Sequence, residues 1–255
     1  MDLRVIGCHG GETPKHRTSA FIVGDKLAID AGSLTSGMTV EDQAALSACL
    51  VSHAHLDHVR DLATLADNRC QMRCAPLVIA GTAETLAALQ KHFFNNLIWP
   101  DFTKIPSDDQ PTIVYQELAL ETPTEVGGFT VRAIPVSHTI EANGFLIDDG
   151  RDAIAYSGDT GPTDRLWQLL DEQPNLRGLL MEVSFPNDEQ GLATASGHHT
   201  PRTLAADLAK LSRASSLPTL LYHIKPVFQS IVERECARLK GLSLQVVQLQ
   251  DHFSL

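Results

Sequence analysis

Within six residues, His53-Ala54-His55-Leu56-Asp57-His58 offers three imidazoles and one carboxylate. These donor types suit a divalent cation of borderline softness, and such a cluster arises by chance in about one chain of this length in a thousand. The spacing has a mechanical reading. In an extended segment His53 and His55 point to the same side, while Asp57 and His58, at the entry of the helix that follows, turn toward a neighbouring point. One tight turn can thus feed two metal ions. Three surface histidines on a polar loop would be the plain alternative, ordinary for a lone histidine and a poor account of four donors together.

A ligating side chain must be placed by rigid backbone, so further donors are expected where apolar runs end. Three positions qualify. His138 follows Val131–Val136, Asp159 follows Ala153–Tyr156 in Tyr156-Ser157-Gly158-Asp159-Thr160-Gly161, and His223 follows Leu220–Tyr222.

The elements that must hold these residues alternate short Val/Ile/Leu-rich runs with segments of helical period, which makes the chain α/β. Strands are expected at Leu3–Gly7, Ala20–Val23, Leu27–Asp30, Cys49–Ser52, Leu77–Ala80, Phe129–Val136, Gly144–Ile147, Ala153–Ser157, Gly178–Val183, Thr219–Tyr222 and Leu244–Leu249. Helices are expected at Asp57–Asp67, Thr82–Phe94, Thr163–Asp171, Thr203–Ser212 and Gln229–Lys240, several with a Ser, Thr or Asp cap near the start. Several strands run consecutively before a helix appears, which suits sheet packed on sheet with helices outside. Asn95–Gln110 is the longest irregular stretch, and a loop of that length inside a compact domain tends to be functional. With 255 residues the expectation is one domain over 1–255, in two intimate halves of about 1–150 and 151–255 meeting at the Asp148–Asp152 turn.

Taken together, the motifs resemble the metallo-β-lactamase superfamily: a strand ending in Asp30-Ala31-Gly32, then His-x-His-x-Asp-His, then a His, an Asp and a His, all in order. The resemblance implies a four-layer αβ/βα sandwich of two mixed sheets. It further implies that His53, His55 and His138 hold one metal, that Asp57, His58 and His223 hold the second, that Asp159 bridges them, and that Asp30 orients the loop. Zinc is the default for such a pair, and the same nitrogen and oxygen donors admit iron or manganese.

Within the superfamily, the chain is similar to the class II cyclic nucleotide phosphodiesterases in four segments: His53–Val59, Phe93–Phe102, Tyr222-His223-Ile224-Lys225-Pro226, and Glu182–Asn187 with Ser196–Pro201. It departs from the usual pattern at Arg60-Asp61, where a small residue more often stands. A related nuclease, which processes tRNA 3′ ends, carries a catalytic histidine before a Glu-Ala-Thr element. Here Met181 precedes Glu182-Val183-Ser184.

The expected reaction is hydrolysis of a 3′,5′-cyclic nucleotide, cAMP or cGMP, to the nucleoside 5′-monophosphate by a hydroxide bridging two divalent metals. A tRNA-processing phosphodiesterase and a thioester or lactone hydrolase are the alternatives. An alkoxide leaves poorly near neutral pH, so a proton donor is needed, and His198 is the candidate beside Asp57 as the two catalytic residues. A helix-entry cap or a prop for a ligand is the competing role for His198. For the base, Asn95, Asn96, Trp99 and Phe102 combine amide donors and acceptors with stacking surface, while burial under the loop or a homodimer contact would use the same aromatics. His199 and Lys225 complete the expected substrate edge. His9, His16, His92 and His252 lack ligand-like partners and are expected to be ordinary surface or loop residues.

Charge and composition limit the alternatives. Twenty basic against 31 acidic side chains give 20 − 31 = −11, which argues against holding a nucleic-acid backbone. Five cysteines make no even disulfide framework, and the chain has neither a secretory leader pattern nor a membrane-length apolar run. A cytoplasmic enzyme acting on a small molecule is the expectation.

Overall fold

The computed structural model describes residues 1–255. Two seven-stranded sheets pack face to face. Strand neighbours in the first run His252–Ser254, Asp2–Gly7, Ala20–Val23, Leu27–Ile29, Ala48–Leu50, Leu77–Gly81 and Ile113–Glu117. In the second they run Thr124–Val126, Phe129–Pro135, Asn143–Asp148, Ala153–Tyr156, Leu176–Glu182, Thr219–Tyr222 and Leu244–Val246. Each sheet opens with three antiparallel pairings and closes with three parallel ones. The two sheets therefore share one topology.

Alternation along the strands creates the layers. Leu27 and Ile29 enter the core between the sheets while Ala28 faces the first sheet's helices. In the second sheet Ile154 and Tyr156 face inward, and Ala153 and Ala155 face outward. Helices Leu62–Gln71 and Ala83–His92 cover the first sheet through Leu62, Leu65, Leu86 and Leu89. Helices Arg165–Asp171, Pro201–Leu208 and Gln229–Cys236 cover the second through Trp167, Leu204 and Val232. The result is the expected αβ/βα sandwich. No helix is long and apolar enough to cross a membrane.

Three differences from the sequence expectation have identifiable causes. The chain passes between sheets across 118–123, whereas the Asp148–Asp152 turn only reverses direction between two paired strands of the second sheet. The helix expected over Asp57–Asp67 is split into Leu56–Val59 and Leu62–Gln71. Asp61 causes the break: its N–H donates to Ala31 O at 2.8 Å, and its carboxylate accepts from the Thr35 N–H and hydroxyl, both at 2.8 Å. Finally, the strand expected over Leu244–Leu249 stops at Val246, and the chain returns so that His252–Ser254 pairs with Asp2–Arg4.

Candidate active site

Parallel pairing aligns the carboxyl ends of Ala153–Tyr156, Leu176–Glu182 and Thr219–Tyr222 in the second sheet, and that of Ala48–Leu50 with its neighbours in the first, and open α/β sheets bind ligands beyond such ends. Each expected ligand lies just past one of these strands or past Phe129–Pro135. The convergence is tight. His53 Nε2 and His138 Nε2 lie 3.1 and 3.2 Å from His55 Nδ1. His58 Nε2 and His223 Nε2 lie 3.3 and 3.2 Å from Asp159 Oδ2, and Asp57 Oδ2 is 3.4 Å from His223 Nε2. Asp159 Oδ2 is also 3.8 Å from His53 Nε2, which places that carboxylate between the two clusters.

The outer ring nitrogens are already committed. His53 Nδ1 faces Ser52 Oγ at 3.0 Å, His58 Nδ1 faces Asp30 Oδ2 at 2.7 Å, His138 Nδ1 donates to Gly197 O at 2.9 Å, and His223 Nδ1 faces Ser184 Oγ at 2.9 Å. Such outer contacts fix the tautomer and aim the inner nitrogen, as they do for metal-ligating histidines. The inner lone pairs then point at one another, an arrangement that cations relieve. Asp159 Oδ1 is buried without any hydrogen-bond partner, which a ligated carboxylate explains. The donor set therefore fits two divalent cations, three nitrogens on one side and Asp57, His58 and His223 on the other.

Backbone geometry at the centre is specialised. Asp30 and His223 adopt left-handed φ values of 55° and 69°, rare for non-glycine residues and concentrated where function over-determines the chain. Asp30 accepts from the Ser52 N–H and hydroxyl, both at 2.8 Å, and from Tyr156 OH at 2.6 Å, besides His58. A side chain at Gly32 would strike Asp57 O at 1.9 Å, so only glycine lets the metal turn sit this close to the strand end.

Electrostatics follow from burial and neighbours. Burial pulls His53 well below the ordinary histidine range. For His58 the same burial is outweighed by Asp159 and Asp30, which hold it well above that range. Burial would raise Asp159, but His223 and His58 hold it well below the usual carboxylate range.

Beside the two clusters stands a pair that the sequence reading resolved only in half. His198 Nδ1 lies 3.1 Å from Glu182 Oε1, and its ring stacks on His223 with centroids 5.1 Å apart and 5.0 Å from His138. Glu182 is fully buried and also accepts from the N–H groups of Thr160 and His199, both at 3.2 Å, and from Ser184 Oγ at 3.1 Å. Burial opposes charge on both partners, yet Glu182 is lowered by His198, and His198 is raised by Glu182. Each partner thus favours the charged form of the other. Glu182 was findable from sequence, since it is a carboxylate closing the apolar run Leu179–Met181, the same signal that marked Asp159.

Other expected site residues divide. Lys225 is half-buried close enough for its charge to lower both His223 and His198. His199 faces away, enclosed between Thr203 Oγ1 at 3.1 Å and Asp207 at 3.6 Å and fully buried, so it props Glu182 through its backbone instead of lining a substrate edge. The aromatic loop is not brought to the centre. Phe102 O accepts from Thr112 N, and Thr112 O accepts from Leu77 N. Leu77 begins the strand whose last residue, Gly81, abuts the metal turn at Val51, roughly 13 Å away along the strand. The loop's amides are spent locally: Asn95 Oδ1 accepts from the N–H groups of Leu97 and Ile98, and Asn96 Oδ1 from that of Asp101. Phe102 is buried in the core with Phe93 and Phe94, and Trp99 packs against the same cluster. Leu97 and Ile98 at the tip are exposed, so the alternative use as a contact between copies keeps its apolar surface. His9, expected to be an ordinary surface or loop residue, is buried beside His16, and burial pushes it down to about 4.

The family model described as a beta-lactamase superfamily domain matches residues 31–224, a span that holds all seven convergent donors. The chain belongs to that superfamily, with the metallo-β-lactamase fold. Its relatives narrow the comparison. It is 29% identical to a probable 3′,5′-cyclic-nucleotide phosphodiesterase of Yersinia pestis, over 90% of this chain and 79% of that one. Unliganded yeast PDE1 superposes with a TM-score of 0.84 at 19% identity over 98% of both chains. The short form of human tRNase Z superposes at 0.71 and 19% identity over 100% of this chain and 99% of that one.

Proposed function

We propose that the chain hydrolyses 3′,5′-cyclic nucleotides to nucleoside 5′-monophosphates at a dinuclear metal centre. One observation carries the reading: His198, its Nδ1 3.1 Å from the buried Glu182 carboxylate, stands at the edge of two converging donor clusters. A ribose alkoxide is a poor leaving group near neutral pH, and an acid placed there meets that need, whereas a thioester has much less use for it. His53, His55 and His138 would hold one cation and Asp57, His58 and His223 the other, with Asp159 shared. Two divalent cations so held supply a water activated near neutral pH and neutralise charge on the phosphate, and zinc is the metal that this nitrogen-rich set favours.

The chain's own residues do the rest. Asp30, Ser52, Gly197 and Ser184 fix the ring orientations, Lys225 offers its ammonium to a phosphate oxygen, and His198 gives its free N–H proton to the departing 3′-oxygen. Glu182 positions His198 and keeps it cationic. The net charge of −11 suits a small substrate drawn by local cations over a polynucleotide. Five unpaired cysteines suit a reducing, cytoplasmic setting.

A substrate panel tests the assignment: zinc-reconstituted protein is offered cAMP and cGMP beside an acyl thioester and a precursor tRNA. Turnover of the cyclic nucleotides is expected. Turnover of the thioester or tRNA alone sinks the proposal. The acid role has its own test in His198→Gln, which should lower kcat on cAMP about a hundredfold or more while barely touching bis-p-nitrophenyl phosphate, whose leaving group needs no proton. Equal losses on both substrates would assign His198 to ligand support.

A further inference from the structure

The aromatic loop lies at the far end of the first sheet, so the substrate's base needs a different wall. If the cyclic nucleotide is the substrate, as proposed above, its geometry selects a side. The leaving 3′-oxygen belongs to the ribose itself, and the polar side chain that stands beside both donor clusters to meet it is His198, whose ring centroid lies 5.1 Å from that of His223 and 5.0 Å from that of His138. The ribose, and the base it carries, must therefore lie on the His198 side of the phosphate and not on the His55 side.

That side is aromatic. From the stacked His223 and His198 rings, Phe185 follows at a centroid distance of 5.8 Å from His198, and Phe228 follows at 5.9 Å from Phe185. Phe185 is buried, Phe228 is half-buried, and Val227 beside it is 83% exposed, so the series runs from the catalytic centre out to solvent. The backbone that carries it is fixed to the same ligand. Ser184 Oγ, which contacts His223, precedes Phe185, and the Lys225 N–H donates to Ser184 O at 3.2 Å just before the turn Pro226–Phe228. Phe228 packs in part against the core between the second sheet and its helices, and the rest of the half-buried ring, with Val227, is left as apolar surface that a flat apolar group would cover.

The geometry points to Phe228, backed by Phe185 and edged by Val227, as the wall against which the purine ring of the cyclic nucleotide stacks. These are specificity-determining residues for the proposed reaction, and they touch no reacting atom. Stacking accepts any base through its π face, so the wall favours cAMP and cGMP alike over cyclic phosphodiesters without a base.

The test uses the full-length, metal-loaded protein and its Phe228→Ala and Phe228→Trp variants. Steady-state constants for cAMP are measured together with competitive inhibition by AMP and by inorganic phosphate. Phe228→Ala should raise KM for cAMP and the inhibition constant for AMP in parallel, by about 5- to 150-fold, with a smaller change in kcat. Phosphate, which reaches only the metal centre, should inhibit both proteins equally, and Phe228→Trp should keep a KM near that of the wild type. An unchanged KM in Phe228→Ala overturns the wall, and so does an equal loss of AMP and phosphate binding, which marks a merely structural ring. A wild-type protein that leaves both cyclic nucleotides intact overturns the catalytic assignment instead.

Discussion

Asp159→Ala is expected to abolish tight metal loading and to lower turnover of cyclic nucleotides by more than about a hundredfold. Contacts one shell further out already cost about 10–100-fold in metal affinity or activity, and Asp159 Oδ2 stands within 3.8 Å of ligand nitrogens from both clusters. No neighbouring carboxylate can replace it. Asp57 belongs to the second cluster, 3.4 Å from His223, and Glu182 is engaged with His198. Metal content by plasma mass spectrometry and kcat on cAMP should fall together. A variant that keeps two metals per chain and near-native turnover would remove the shared carboxylate from the account.

The second large effect falls on stability. Asp30→Ala deletes a fully buried carboxylate and strands the Ser52 N–H, the Ser52 hydroxyl, Tyr156 OH and the His58 Nδ1 side without their acceptor. Leaving a buried charge network without one member costs about 3–5 kcal/mol. In a chain of this size that lowers Tm by about 6–20 °C, and the same change frees the His58 ring to turn away from the metal position. Calorimetry checks the first part and metal titration the second. A melting point within a degree or two of the wild type would mean that Asp30 holds neither.

The convergent donors were legible in the sequence because each follows a short apolar run, and the residue that closes a buried strand has its backbone placed by the sheet. The same rule, applied to Glu182, would have completed the acid pair. Ser52 and Ser184 were less visible as props, because a short polar residue after a strand looks like any turn. The aromatic loop misled for a physical reason: Phe93, Phe94 and Phe102 are concentrated by the core they fill, and Asn95 and Asn96 by the turn they close. The Arg60-Asp61 departure lies past the expected ligands in sequence. It nevertheless ends the helix early and ties Thr35 to the strand loop. Arg60 also pairs with Glu12, joining the metal turn to the first loop of the chain.

The shared topology of the two sheets had no sequence signature at all, since strand order depends on pairing partners that lie far apart in the chain. His199 illustrates a related limit. Neighbouring histidines in one motif look equivalent in sequence, yet the entry into helix Pro201–Leu208 turns His198 toward the centre and His199 toward Asp207.

The account stands most directly on the fate of the phosphorus atom, which can be followed by ³¹P nuclear magnetic resonance as metal-loaded protein acts on 3′,5′-cAMP. The expected result is a single new resonance, that of AMP with its phosphate on the 5′-oxygen, lost when a chelator strips the metals and restored when zinc is returned. Formation of 3′-AMP, or a cAMP resonance that persists while the same sample cleaves a thioester or a precursor tRNA, would contradict it.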